Sequence, residues 1–365
     1  MKRMRDLPHG TAEHGRPKRL RADALLLVMV LVLACMLVMR YAGGDATLYP
    51  EGQGPEPYTE TAAENAPERP AAETAHEELR EIPDMQDIPA TGAPVRFLMH
   101  NVENYFVAGE QQRSRYIVKP KSAESREAVA AVIAEVKPEL VGLVEIGGPK
   151  ALADLRERLE RRGLTYPYFR VLTRPGEDRA LAVLSVYPIV QDHSVAQCRL
   201  QGKKNRMMLR GILDVTVELP DKRLFRVVGA HLKSRVAEDA AAAEALRQAE
   251  SETLARHLRT ALQQQPRVPL LVYGDWNDGP GDASAQVLKQ GLSDESALSC
   301  LSPVDSRGHG WTIYYAAGGE FGTFDRIYVS KETAKRRRKG TRCGIVDIPA
   351  AGRASDHRAV WCELR

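Results

Sequence analysis

The chain has 365 residues, with 52 Lys/Arg against 48 Asp/Glu and a formal net charge of +4. That length suits one large domain with appendages, or two small domains. Its five Cys include no CxxC pair and no Cys/His spacing of the zinc-binding kind, which argues against a structural zinc site.

The near-neutral total hides local asymmetry. Residues 1–22 form a basic segment, with seven Lys/Arg against Asp6 and Glu13. Residues 24–39, ALLLVMVLVLACMLVM, are apolar and uncharged. As a helix they rise about 24 Å, and Tyr41 to Gly44 can extend them toward the ~30 Å of a hydrocarbon core. A basic flank ahead of the run keeps 1–22 in the cytoplasm. The expectation is a single transmembrane helix, a signal anchor over 23–40, with everything after it in the periplasm or at the cell exterior. A cleaved signal peptide and a lipoprotein signal ending at Leu33-Ala34-Cys35 are the alternatives. Residues 41–93 hold twelve Asp/Glu, seven Pro and ten Ala. Large apolar side chains are too few there to offset backbone ordering, so the segment reads as a disordered, extended linker.

Residues 94–365 alternate short apolar runs with helical periodicity. Val95–Met99 reads as a strand leading to Asn101. Ser122–Lys137 reads as a helix with Val129, Val132, Ile133 and Val136 on one face. Leu140–Val144 is a strand delivering Glu145, and Ala151–Arg162 is a helix stopped by Gly163. Strands follow over Phe169–Leu172, Ala180–Val186, Leu209–Leu219 and Leu224–Ala230, then a long helix from about Ala237 to Gln264. Further strands cover Val268–Tyr273, Trp311–Tyr315, Thr323–Val329, 343–348 and 358–364. Clustered strands with helices between the groups favour two sheets packed face to face with helices outside. Cys198, Cys300, Cys343 and Cys362 fall in this exported part, where disulfides are allowed. Cys343 and Cys362 lie on two apolar runs joined by a Gly-containing loop, which lets them face each other.

The polar residues at the strand ends suit phosphate-ester chemistry. Asp275-Trp276-Asn277-Asp278 follows an apolar strand and Gly274. Asp275 can orient a water or ligate a cation, and Asn277 can donate to a phosphoryl oxygen without adding charge that would repel an anion. An Asx turn is the competing reading. Ser355-Asp356-His357 places a ligand and a proton-transfer group in one turn. Glu145 is a carboxylate at the end of a buried strand, which is costly unless paired or bound to metal. Asn101 and Asn104 offer amides at the end of the first strand. His231 and Lys233, if both lie on the strand, share a face. Arg210 is a second candidate for stabilising negative charge. Asp325 can orient a His, and Arg326 suits a structural ion pair.

Taken together, Asn101-Val102-Glu103-Asn104, Glu145, His231-Leu232-Lys233-Ser234, Gly274-Asp275-Trp276-Asn277-Asp278, Asp325-Arg326-Ile327 and Ser355-Asp356-His357 resemble the endonuclease/exonuclease/phosphatase superfamily, the DNase I-like fold. With the anchor, the chain looks like a bacterial, membrane-anchored member. The resemblance covers residues 94–365. It implies an α+β, four-layer αββα sandwich and Mg²⁺-dependent hydrolysis of phosphate esters, with Mn²⁺ as the alternative ion. By resemblance Asn101, Glu145 and Asp356 are the metal-side residues. His231, Asp275, Asn277, Asp325 and His357 are the catalytic set, with Asp325 orienting His357. Asn101, Lys233 and Arg210 contact the substrate phosphate. Some members carry Asn two residues before the His of the His231 strand, where this chain has Gly229.

The expected reaction is in-line attack of water on phosphorus. The substrate is open, because the fold serves DNA, RNA, inositol phosphates and sphingomyelin. Basic residues at Arg113, Arg115, Lys119 and Lys121, and again over Lys335–Lys339, favour a nucleic acid, although no aromatic platform for bases is evident. A membrane-tethered phosphodiesterase, a nuclease above all, is therefore the leading expectation, with no protein partner implied. A phosphomonoesterase or a phospholipid (sphingomyelinase-like) phosphodiesterase is the alternative on the same site. A catalytically silent surface-binding module is the alternative of another class.

Overall fold

The structure is a computed structural model that describes residues 94–364, apart from 116–117, 201–205, 293–296, 316–318 and 337–341. The basic segment, the transmembrane helix and the linker expected over 1–93 lie outside the described residues. No helix among the described residues is long and apolar enough to cross a membrane.

Two six-stranded mixed sheets carry the fold. Sheet A contains β1 (Val95–Tyr105), β2 (Leu140–Ile146), β3 (Tyr168–Arg174), β4 (Glu177–Ser185), β13 (Cys343–Ile345) and β14 (Val360–Leu364), in the order β13-β14-β1-β2-β4-β3. Sheet B contains β5 (Ile189–Asp192), β6 (Leu213–Glu218), β7 (Leu224–His231), β8 (Leu270–Asp275), β9 (Leu298–Cys300) and β12 (Asp325–Ser330), in the order β5-β6-β7-β8-β12-β9. A two-stranded hairpin, β10 (Ile313–Tyr315) and β11 (Glu320–Gly322), stands apart. Each large sheet has one parallel neighbour pair at its middle, β1/β2 and β7/β8, and antiparallel pairing elsewhere.

Three apolar layers hold the sheets and helices together. The inner layer joins the sheets through residues such as Phe97, Met99, Val144, Val183, Val227, Leu271, Tyr273 and Ile327. A second packs sheet A against α1 (Ala123–Val136) and α2 (Pro149–Glu160). A third packs sheet B against α3 (Ala240–Gln264) and α4 (Ala283–Gln290). The order is helices, sheet, sheet, helices, as the αββα expectation requires. Two short helices complete the described elements, α5 (Lys331–Arg336) and α6 (Ala351–Ala354).

Local chemistry sets the boundaries. Ser122 caps α1 by accepting from Ser125 N, and Lys137 ends it in the left-handed region ahead of Pro138. Helix α2 begins two residues earlier than the periodicity predicts, because Pro149 suits its first turn. The strand expected over Leu209–Leu219 is shortened to β6. Gly211, at φ +72°, passes so close to Val195 that a Cβ there would lie 2.5 Å from its carbonyl oxygen. Cys343 and Cys362 are cross-strand partners in the β13/β14 register, as the apolar runs suggest, and both remain thiols.

Candidate active site

Period-two alternation builds the site. On four strands the side chains facing the inner layer end in a polar residue: Phe97-Met99-Asn101 on β1, Phe225-Val227-Gly229-His231 on β7, Leu271-Tyr273-Asp275 on β8 and Val329-Ile327-Asp325 on β12. His231 and Asp325 are both register partners of Asp275, one parallel and one antiparallel, so sheet B presents the three in a row. Sheet A supplies the opposite wall. Asn101 Nδ2 donates to Asp275 Oδ2 at 3.0 Å and lies 3.4 Å from His357 Nε2.

Glu145 reaches this wall differently. Alternation along β2 would aim it away from the inner layer. The β2/β4 register shifts between Val144 and Ile146, and Glu145 itself has φ +65°. Such a bulge re-aims a side chain. Glu145 Oε1 lies 3.8 Å from His231 Nε2, and Oε2 accepts from Asn104 N at 3.1 Å. Of the six non-glycine described residues with positive φ, four (Glu103, Asn104, Glu145 and Asn277) line this mouth, where backbone strain is commonly held for function.

The second half of the site centres on His357. Its Nδ1 bonds Asp325 Oδ2 at 2.7 Å, and its Nε2 lies 3.8 Å from Asp275 Oδ2. Ser355 fixes the loop: its Oγ donates to Asn101 O at 2.7 Å and accepts from His357 N at 3.0 Å. Asn277 N donates to Asp275 Oδ1 at 2.8 Å, and Asn277 Nδ2 donates to Leu232 O at 3.1 Å.

Charge sorts the ionisable groups. Burial lowers the pKa of His231 well below its usual value, and Arg210 and Arg179 push the same way, so the imidazole is neutral. Burial also opposes charge on His357, yet the Asp325 and Asp275 carboxylates hold its proton and raise its pKa well above the usual value. Asp275 is raised to about 7, first by burial and then by Asp325 and Glu145, with His357 opposing.

Glu145, His231 and Asp275 each offer a ligand atom, all within 4.8 Å of one another. Two carboxylates and a neutral imidazole fit a divalent ion, with His231 Nε2 facing Glu145 Oε1 at 3.8 Å and Asp275 Oδ2 at 3.6 Å. Asp275, Asp325 and His357 form a second such group, which the His357–Asp325 bond already occupies. Asp356 joins neither group. Its carboxylate is half exposed, 3.9 Å from His357 Nε2.

Other expected residues sit at the edge. Arg210 is buried behind His231, with its Nε 3.3 Å from Glu177 Oε2. Strand β7 ends at His231, so Lys233 lies beyond the pleat, and its Nζ donates to Ser234 O and Val236 O. The shared face expected for His231 and Lys233 is thus not formed. Arg326 makes no ion pair among the described residues. It is buried, donates to Asp278 O, and lies over the rings of Trp276 and Tyr328. In the loop after β1, Arg113 donates to the carbonyls of Gly147, Glu177 and Asp178, and Lys121 pairs with Glu103. These two cations serve the fold.

Two features escaped sequence reasoning. Arg179 lies beside Glu145, Nε to Oε2 3.6 Å. The hairpin β10–β11 carries an aromatic cluster, with Trp311 and Tyr314 each 5.0 Å from Phe321 between ring centroids. Tyr314 and Phe321 are 50% and 63% exposed, so two rings of the cluster face solvent. It adjoins the site, because Ile313 bridges to His357 and Arg358 N donates to Thr312 O.

Gly229 also has an explanation. The Tyr273 ring lies between Gly229 and Gly142, and a Cβ on either would come within 2.6 Å of it. Tyr273 Oη donates to Ala182 O at 2.8 Å. The ring fills the space an Asn at position 229 would need.

Comparison with known proteins agrees with this architecture. Among solved structures the chain is similar to the human Nocturnin catalytic domain (18% identity, 74% of this chain and 94% of that one, TM-score 0.53). It is similar also to an endonuclease/exonuclease/phosphatase from Bacteroides vulgatus (14%, 75% and 99%, TM-score 0.54) and to D. rerio TDP2 complexed with single-strand DNA product (14%, 75% and 100%, TM-score 0.50). At these identities the likeness is one of fold. No curated protein matches. Residues 101–357, which run from the first site residue to the last, match the Endonuclease/Exonuclease/phosphatase family, and the chain therefore belongs to that family of phosphate-ester hydrolases.

Proposed function

We propose that the protein is a divalent-metal-dependent phosphodiesterase, a nuclease in particular, that cleaves by in-line attack of water. The observation that carries this reading is the two-sided cleft, with neutral His231 beside Glu145 on one side and charged His357 beside Asp325 on the other, Asp275 between them. A divalent ion held by Glu145, His231 and Asp275, Mg²⁺ or Mn²⁺, would supply Lewis-acid polarisation of a phosphoryl oxygen. The protein's own groups do the rest. Asp275, held by Asn101 Nδ2 and Asn277 N, orients the attacking water. His357, fixed through Nδ1 by Asp325, turns Nε2 into the cleft and donates a proton there. Asn277 offers a neutral amide to a phosphoryl oxygen.

The exposed Tyr314 and Phe321 rings beside His357, backed by Trp311, support a nucleic acid, since base stacking on aromatic rings contributes roughly 1–3 kcal/mol per base. A phospholipid diester is the second reading, favoured by the same exposed rings. A panel of single-stranded oligonucleotide, inositol phosphate, sphingomyelin and p-nitrophenyl phosphate, each with Mg²⁺, Mn²⁺ or EDTA, tests the assignment. The oligonucleotide should be cut, EDTA should stop the reaction, and His357→Ala should lower kcat by about 10²-fold or more. Preference for the monoester or for sphingomyelin would sink the nuclease reading. No hydrolysis of any ester would favour a surface-binding module.

A further inference from the structure

Arg179 stands where no role has been assigned. Its Nε lies 3.6 Å from Glu145 Oε2, and its Nη1 lies 3.6 Å from Glu177 Oε1. Both distances exceed the 2.7–3.2 Å of an N–H···O hydrogen bond. The guanidinium is therefore held by charge rather than by directional bonds. Its side chain is 39% exposed, whereas that of Arg210 is 8% exposed. Arg210 is the more enclosed of the two, 3.3 Å from Glu177 Oε2 and 3.5 Å from Leu232 O.

The local charge count is uneven. Two guanidiniums, Arg179 and Arg210, share the carboxylate of Glu177, and Arg179 also leans on Glu145. Glu145 is one of the three residues grouped to hold a divalent ion. A carboxylate committed to an ion has little attraction left for a neighbouring cation. Arg179 would then be a partly exposed guanidinium with half a counter-ion at the rim of a phosphate site. Its planar fork matches a phosphate's oxygens.

We propose that Arg179 is an exchangeable clamp: it and a divalent ion compete for Glu145, and it turns to a phosphate oxygen of the substrate when the ion takes that carboxylate. This rests on the phosphodiesterase reading. It adds that cation binding and substrate binding are coupled through one side chain, because the exchange frees the group that the anion needs.

The test uses Arg179→Ala, Arg179→Lys and, as a control, Lys150→Ala in the full chain. Lys150 is an exposed cation whose Nζ donates to Gly109 O and which makes no ion pair with Glu145 among the described residues. Mn²⁺ affinity without substrate is measured by electron paramagnetic resonance. KM and kcat for bis-p-nitrophenyl phosphate are measured at saturating Mn²⁺. For Arg179→Ala, Mn²⁺ should bind about fivefold more tightly and KM should rise about tenfold, with kcat changed less than about threefold. Arg179→Lys should recover part of the KM. Lys150→Ala should leave both quantities within about twofold, as expected of a charge acting only through the general field. Unchanged Mn²⁺ affinity in Arg179→Ala, an unchanged KM, or equal shifts in Lys150→Ala would overturn the clamp while leaving an active wild type as a phosphodiesterase. A wild type that binds no Mn²⁺ and cleaves nothing would overturn both.

Discussion

The His357 imidazole is buried between two carboxylates, Asp325 at 2.7 Å from Nδ1 and Asp275 at 3.8 Å from Nε2. Burial alone would remove its proton, and the two carboxylates keep it. Asp325 does this at a cost to itself, since its Oδ1 is buried without a hydrogen-bond partner. Replacing it isolates the electrostatic contribution. Asp325→Asn keeps the shape of the side chain but removes the charge that holds the imidazolium. It should lower kcat by about 10²–10⁴-fold with KM within a few-fold. Steady-state kinetics on a diester checks this, and a kcat within threefold of wild type would mean that His357 acts without its partner. His100 shows the opposite balance next door. Among the described residues its Nε2 meets only the His357 carbonyl, at 3.3 Å, and burial lowers its pKa to about 4, so two nearby histidines carry different charges at neutral pH.

Strand alternation explains both what could be read in advance and what could not. Asn101, His231, Asp275 and Asp325 end inner-face stripes that begin with large apolar residues, and that pattern is visible in the chain itself. Glu145 was legible as the residue after an apolar run, but its direction was not. Only the bulge at Val144/Ile146 turns it inward, and a bulge is a property of strand pairing. Arg179 was hidden in Glu177-Asp178-Arg179, which has the composition of a solvated turn. The edge strands β5 and β9, of four and three residues, are too short to show a period. The aromatic cluster was missed because Trp311, Tyr314 and Phe321 are scattered in sequence and meet only when β10 pairs with β11. The Gly142–Tyr273–Gly229 contact is likewise a product of two sheets meeting. It predicts that Gly229→Ala, although conservative, lowers stability by about 1–3 kcal/mol through overpacking against a buried ring. Urea unfolding measures the change, and a neutral result would show that Tyr273 does not fill the gap between the sheets.

For the molecule as a whole, acid stability should depend on the ion-pair network that ties α1, α2 and β1. Asp154 accepts from Arg158 Nε at 2.8 Å and Tyr105 Oη at 2.6 Å, and also from Arg126. Burial opposes its charge, but these donors win and lower its pKa from 3.8 to about 2. Because the folded value lies below the unfolded one, the stabilisation is present above pH ~4 and is lost as pH falls toward 2. Asp154→Asn should therefore cost more stability at pH 6 than at pH 2.5, read as the difference from wild type in urea titrations. An equal difference at both values would remove Asp154 from the account.

The pairing of β1 with β14 carries a further consequence, for the timing of synthesis. Asn101 and His357 meet across 256 positions of sequence, and β14, which follows His357, docks on β1 near the middle of sheet A. A nascent chain that has already delivered Glu145, His231 and Asp275 still lacks both His357 and the strand that flanks Asn101. The two walls of the site are therefore completed together, only once the segment carrying His357 and β14 has joined β1.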